Sequence, residues 1–188
     1  PYLNGVPLRA NEAFQQMYDL SRIEILRGPQ GTLQGETSPA GSIQLYSKKA
    51  NLDIVEGEIT RTFSDNDGAN TQVAASMPLI EGVLGIRVAG LYDQGETGID
   101  TDSSVGGQTG TKDTNAGRFS VSWLPTDELS ADFTYQYMEN RTDGHKAVEG
   151  VPTVPGKPVL HHSDRVGLNE GYRRIFNRAE FVSLELNY

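Results

Sequence analysis

From residue 55 onward one pattern recurs: apolar and polar residues alternate over runs of about ten to fourteen residues, each closed by turn-forming residues. Successive side chains of a strand point to opposite faces, so every such run carries one apolar and one polar face. In the run 129–142, Leu129, Ala131, Phe133, Tyr135 and Tyr137 oppose Ser130, Asp132, Thr134 and Gln136. In 112–124, Phe119, Val121 and Trp123 oppose Ser120 and Ser122, and in 83–95, Leu84, Ile86, Val88 and Tyr92 oppose Arg87 and Asp93. At the end of the chain, Val182, Leu184, Leu186 and Tyr188 oppose Ser183, Glu185 and Asn187. Six strands are predicted, over 55–64, 69–79, 83–95, 112–124, 129–142 and 179–188.

Their length decides between two ways of using such strands. Strands of globular proteins run to about five or six residues, whereas a tilted strand crossing a bilayer needs about 9–11. The connections alternate as well: 80–82 and 125–127 are tight, 96–111 and 143–177 are long, and only "DNDG" is short on the long side. Short turns on one rim and long loops on the other mark an outer-membrane barrel. Trp123 lies beside a tight turn and Tyr92, Tyr135 and Tyr137 toward the long loops, where aromatic girdles are expected. A soluble β-sandwich alternates equally well but accounts for neither strand length nor loop asymmetry. A hydrophobic content of 36% is low for an ordinary core and sufficient for a barrel, which needs only one apolar face. Six strands do not close, since the smallest membrane barrels have about eight. Open edges in lipid would leave backbone groups unpaired. The chain is therefore expected to be part of a larger barrel. The opening "PYLNGV", in mid-strand and without an initiator Met, is read the same way.

The first fifty residues differ. "YLNGVPL" reads as two short strand pieces about an Asn4-Gly5 turn, and "MYDLSR" as one helical turn before the strand "IEIL". Between "IEIL" and "SIQLYS" stand Gly28, Gly31, Gly35 and Gly41, with Pro29 and Pro39 among them. This is not a nucleotide loop. No Gly-Lys pair exists to make a P-loop, and the loop leads into an alternating strand rather than the long helix of a dinucleotide site. A net charge of −9 argues against a nucleic-acid partner, and the absence of cysteine excludes disulfides and cysteine metal sites. His145, His161 and His162 share one long loop, but adjacent residues diverge in extended chain, so no metal site is expected. "DNDG" and "DTDSS" lack the spaced Glu of a calcium loop and read as turns. No run approaches the length of a membrane helix, no signal segment is visible, and no two carboxylates can be placed as an acid–base pair.

The segment "YLNGVPL … DLSRIEILRGPQGTLQGETSPAGSIQLYSKKA" resembles the C-terminal half of the plug domain of TonB-dependent outer-membrane receptors. Arg27-Gly28-Pro29, Gly35, Pro39, Gly41 and Ser47-Lys48-Lys49 carry the resemblance, and Gly31 lies in the same loop. Gln34 stands where the family has an aromatic, and Ala40-Gly41 where it has paired glycines. "VEGEITRTF", "MPLIEGVLGIRVAGLYDQGETGI" and "GRFSVSWLPTDELSADFTYQY" resemble the family's opening barrel strands. The resemblance implies an all-β fold with minor α: plug residues 1–50 followed by about six strands, 51–188, of a large plugged transmembrane antiparallel barrel. It explains the glycines, since a plug must reverse within the confined lumen and run its backbone close to the wall. It implies that Arg27 is enclosed and paired with a barrel-wall glutamate, mostly in strands beyond these residues. It also implies uptake of a scarce ligand, foremost an iron–siderophore, otherwise cobalamin or a carbohydrate. TonB would pull on the plug through an N-terminus not included here, and outer-membrane lipid would surround the barrel. No enzyme activity and no cofactor are implied. The loop "RANEAFQQ" corresponds to a ligand-facing plug apex, with Arg9, Asn11, Phe14 and Gln15 as candidate ligand contacts. A passive channel would not carry the plug signature. A soluble β-sandwich binding module, and more remotely a carbohydrate-active enzyme, are the readings from other classes.

Overall fold

The computed structural model describes residues 1–15, 17–28, 41–64, 68–101, 109–144, 166–167 and 173–188. Two sheets make up the molecule. The small one has the order β2-β1-β4-β3, built from β1 (Tyr2–Leu3), β2 (Val6–Pro7), β3 (Leu20–Arg27) and β4 (Gly41–Ser47), with a short helix α1 (Ala10–Gln15) between β2 and β3. The Asn4-Gly5 turn forms as expected, with φ of 46° and 80°, the left-handed pair that a tight hairpin requires.

The long sheet is an antiparallel meander of β5 (Glu56–Ser64), β6 (Gly68–Ile80), β7 (Leu84–Thr101), β8 (Thr109–Thr126), β9 (Leu129–Gly144) and β11 (Arg173–Asn187). The two-residue β10 (Val166–Gly167) pairs with β7 off this path, making seven strands. The six predicted strands are all present, and several are longer. β7 and β8 pair without interruption to Glu96↔Thr111 and, after a register shift, again at Asp100↔Thr109, within what the sequence marks as loop. β11 begins at Arg173, six residues early, because its first residues pair with the upper end of β9. The connections between β6 and β7 and between β8 and β9 are tight, which defines one rim. Residues 65–67 of the "DNDG" turn, residues 102–108 with the last three residues of "DTDSS", and the stretch bearing the three histidines lie outside the described residues, whereas Asp100 and Thr101 belong to β7.

Burial in the long sheet is inverted relative to a soluble protein. The face toward the small sheet buries Ser76, Arg87, Thr114, Arg118, Ser120, Ser122, Thr134, Gln136 and Asn140. The other face exposes Ile59, Phe63, Val73, Val88, Phe119, Trp123, Tyr135, Val182, Leu184 and Leu186. A sheet in water would hide the second set and expose the first. Only a solvent that is itself apolar makes this the stable arrangement. Toward the long-loop end the outer face turns polar: Tyr137 Oη donates to Glu139 at 2.7 Å, and Arg178 pairs with Glu139 at 3.5 Å. The apolar band therefore ends at a tyrosine level, as a girdle should.

Candidate functional site: the small sheet against the wall

The small sheet lies on the polar face of the long one and is held there in three places. The lowest is the connection 48–55. Ala50 N–H donates to Ser122 Oγ at 3.2 Å, Asn51 N–H to Ser76 Oγ at 2.7 Å, and Gly82 N–H to the Leu52 carbonyl at 2.8 Å. Lys49 reaches Asp132 at 2.5 Å and Lys48 reaches Glu58 at 2.9 Å. Gly85 makes this approach possible: a Cβ there would stand 2.7 Å from the Asn51 carbonyl oxygen and 3.0 Å from Leu52 Cδ2. Both wall glycine and connection lie at the tight-turn rim.

The second place is apolar. Leu3, Ala13 and Leu45 pack with Phe181 of β11. Ala13 belongs to α1, so the segment "RANEAFQQ", expected as a loop, is a helix over most of its length. Glu12 explains this: its carboxylate accepts from the Arg9 N–H at 3.4 Å, three residues earlier, as a capping residue does. The helix sits level with Phe181, which pairs with Gln136 midway along β9.

The third place is ionic. Asp19, at φ 49° in the bend where a helical turn is expected from the sequence, turns its carboxylate onto two wall arginines. Arg87 Nε donates to Oδ2 at 2.9 Å and Nη2 to Oδ1 at 2.5 Å, a two-point grip that planar guanidinium favours. Both side chains are almost fully enclosed, at 3% and 4% exposure. Arg87 Nη1 also donates to Glu56 at 2.8 Å. Arg118 Nη1 donates to the backbone carbonyls of Tyr18 and Asp19 at 3.2 and 3.0 Å, and its Nε to Gln136 Oε1 at 2.7 Å. Its guanidinium covers the Tyr18 ring at 4.5 Å, while Tyr18 packs on Ala74, Ala89 and Leu91. Burial of Tyr18 pushes its hydroxyl pKa up to about 12, against the pull of Arg118.

Between these contacts runs a polar crevice of about 380 Å³, with Ser21, Arg22 and Tyr46 on one side and Ser120, Ser122 and Thr134 on the other. Its polar walls suit water and a hydrophilic solute.

The residues singled out from the sequence fall elsewhere. Arg9 is exposed, its side chain 4.0 Å from Glu12. Asn11 and Phe14 lie on α1 with Gln15, which is half-buried. Arg27 is exposed and makes no ion pair among the described residues, so its expected enclosure is not seen in this chain. Gly28 and Gly41 adopt φ of 87° and 126°, and a Cβ on Gly41 would strike the Leu26 carbonyl at 2.2 Å. Here glycine is obligatory. Pro29, Gly31, Gly35 and Pro39 lie outside the described residues. The buried ions that do join plug and wall, Asp19, Arg87 and Arg118, run opposite in polarity to the expected pair. The wall supplies the cations. A lone arginine on a lumen-facing strand position, as at Arg87 and Arg118, is the sequence signal that marks them.

The architecture is that of part of a plugged outer-membrane β-barrel: a small sheet on the inner face of an outward-apolar antiparallel wall, both sheets left open at their edges. Comparison with known proteins points to the TonB-dependent receptors. No model of a known family matches the chain. It is 28% identical over 120 residues to the pesticin receptor of Yersinia pestis, covering 64% of this chain and 17% of that protein. It is 29% identical over 136 residues to the probable TonB-dependent siderophore receptor PirA of Acinetobacter baumannii, covering 66% of this chain and 17% of that protein. A shorter match, 43% over 51 residues, covers 26% of this chain and 7% of the ferrichrome outer membrane transporter/phage receptor of Escherichia coli. Among solved structures, the Pseudomonas aeruginosa receptor FpvA bound to a heterologous ferric pyoverdine superposes on the whole chain with a TM-score of 0.72 at 18% identity, over 25% of its own length. FpvA in complex with pyocin S2 covers 76% of this chain and 18% of its own, with a TM-score of 0.60 at 19% identity. The chain thus spans about a sixth of the curated relatives' length.

Proposed function

We propose that this chain is the working junction of a TonB-dependent importer: residues 1–50 the C-terminal part of the plug, residues 51–188 the first strands of the barrel that holds it. The observation that carries the reading is the inverted long sheet with a second sheet seated on its polar side. An open pore has no use for the second sheet, and a soluble module has no use for the first. The imported ligand is a ferric siderophore, the reading supported by relatives named for siderophores. Binding, not catalysis, is the chemistry: TonB engages the plug upstream of residue 1 and shifts it against the wall, opening the polar crevice. Arg9, Asn11, Phe14 and Gln15 are the plug residues assigned to the ligand, Arg9 to anionic groups of the chelate and Phe14 to its aromatic groups. Arg27, Gly28, Pro29, Gly31, Gly35, Pro39 and Gly41 are assigned to the plug motif.

The test is growth of the source bacterium under iron limitation, with the full-length gene deleted and a panel of single ferric siderophores supplied. Loss of growth on one siderophore, restored by the intact gene and not by one lacking the TonB-contacting segment, is expected. Undiminished growth on every siderophore, together with lost uptake of cobalamin or a carbohydrate, would overturn the ligand assignment.

A further inference from the structure

Above the tyrosine level, the outer face of β9 and β11 carries three arginines around one exposed phenyl ring. Arg141 of β9 stands directly opposite Phe176 of β11, and Arg174 and Arg178 flank Phe176 on the same face of its own strand. The register runs unbroken from here to Val182, Leu184 and Leu186, so the four side chains share the face that meets lipid. We propose that Arg141, Arg174 and Arg178 bind the phosphate of a membrane-lipid headgroup, with Phe176 against the apolar part of the same lipid.

Strand pairing brings the three within reach of one anion. Directly opposite side chains start about 5 Å apart and diagonal ones about 7–8 Å, a span that long arginine side chains close over Phe176. The neighbouring carboxylates lie beneath the cations. Asp143 accepts from Arg141 Nε at 2.8 Å and from Arg174 Nε at 2.9 Å. Its side chain is 6% exposed, against 45% for Arg141 and 62% for Arg174. Glu139 holds Arg178 Nη2 at 3.5 Å and is again the less exposed partner. The carboxylates thus fix the guanidiniums from below. Arg174 uses Nε for this and Arg178 uses Nη2, which leaves each planar group further N–H donors for phosphate oxygens. Asp113 faces Arg141 from β8 and Glu180 lies one step toward the apolar band, opposite Tyr137, which confines the cationic surface to β9 and β11 above that tyrosine.

Height on the wall selects the ligand. Arg178 covers the Tyr137 and Phe176 rings at 5.7 and 5.8 Å, so the cluster joins the girdle directly. Aromatic girdles sit at the headgroup level of a bilayer. A phosphate held there, with its acyl chains running down the apolar face, uses both the guanidiniums and the ring. A free anion gains nothing from the ring. The inference rests on the lipid-facing wall and not on the transport reading.

The test uses the full-length protein in nonionic detergent, mixed with diphosphoryl lipid A or with the same lipid stripped of its phosphates, and counts bound lipid by native mass spectrometry. The wild type should retain the phosphorylated form at least about tenfold better than the stripped one. The double variant Arg174→Gln/Arg178→Gln should retain the phosphorylated form at least about tenfold less than the wild type does. The wild-type contrast between the two lipids needs no variant, so it decides the question even if the double variant does not fold. Equal retention of both lipids by the wild type overturns the proposal and leaves the lipid-facing wall standing. So does a folded double variant that holds the phosphorylated lipid as the wild type does. Displacement of the lipid by inorganic phosphate at equal concentration would mark a site for free anions and likewise overturn it.

Discussion

Asp19 and Arg87 form the buried joint, and their replacement should reveal an asymmetry set by the neighbours each would leave behind. In Asp19→Asn, Arg87 keeps Glu56 at 2.8 Å and Glu58 at 3.8 Å, so its charge remains compensated. The loss is about 2 kcal/mol, the scale of a charged hydrogen bond. In Arg87→Met, Asp19 is stranded at 4% exposure, with Arg118 Nη1 4.0 Å away and already bonded to carbonyls. Breaking a buried pair in that way costs about 3–5 kcal/mol. The double variant removes both charges of the pair and strands neither partner, while Arg118 keeps its carbonyl and amide acceptors as it does in Asp19→Asn. It should therefore be no worse than Arg87→Met alone, which makes the coupling at least about 2 kcal/mol. Equilibrium urea unfolding of the full-length protein in detergent measures all four corners of this cycle. Additive losses, or an Asp19→Asn variant less stable than Arg87→Met, would refute the reasoning.

Three further outcomes follow from the contacts. Gly85→Ala places a Cβ 2.7 Å from the Asn51 carbonyl, so the connection must move and Tm should fall by the equivalent of about 1–3 kcal/mol; an unchanged Tm would mean that the connection does not lie on the wall. Tyr18, with its pKa raised to about 12 by burial, holds its proton in the folded state where the unfolded chain has released it. The contribution is complete below pH 10 and fades as pH rises from about 10 to 12, so Tyr18→Phe should flatten that part of the Tm–pH profile relative to wild type. Lys49→Met should cost under about 1 kcal/mol by thermal melting despite its 2.5 Å contact with Asp132, because the lysine is 55% exposed.

The wall was legible because each of its strands writes its two faces into alternate residues. Phe119, Val121 and Trp123 against Ser120 and Ser122 need no tertiary knowledge to be sorted. What alternation does not show is where pairing stops. Residues 96–101 read as loop, yet pairing with β8 resumes at Asp100 after a register shift past Glu96. Likewise 173–178 joins β11 through Arg174 and Arg178, which meet Asp143 and Glu139 of β9 at 2.9 and 3.5 Å. The bends of the small sheet were legible from glycines, two of which, Gly28 and Gly41, take backbone angles that other residues rarely adopt. The joint was not legible. Asp19 and Arg87 are 68 residues apart, and nothing local marks them as partners. The helix at Ala10 was hidden because its cap, Glu12, reaches back to the backbone of Arg9, a residue that does not itself signal a helix start.

Central to all of this is that the apolar face of the long sheet meets lipid. Nitroxide labels placed singly along β8 and β9 of the full-length protein in bilayers test it, with accessibility to oxygen and to a water-soluble nickel chelate as the readout. Labels at 119, 121, 133 and 135 should be open to oxygen and closed to nickel, and labels at 120, 122, 134 and 136 should be closed to oxygen. Nickel access at the first set, or no alternation between the two, would contradict a membrane wall and return the chain to the soluble sandwiches.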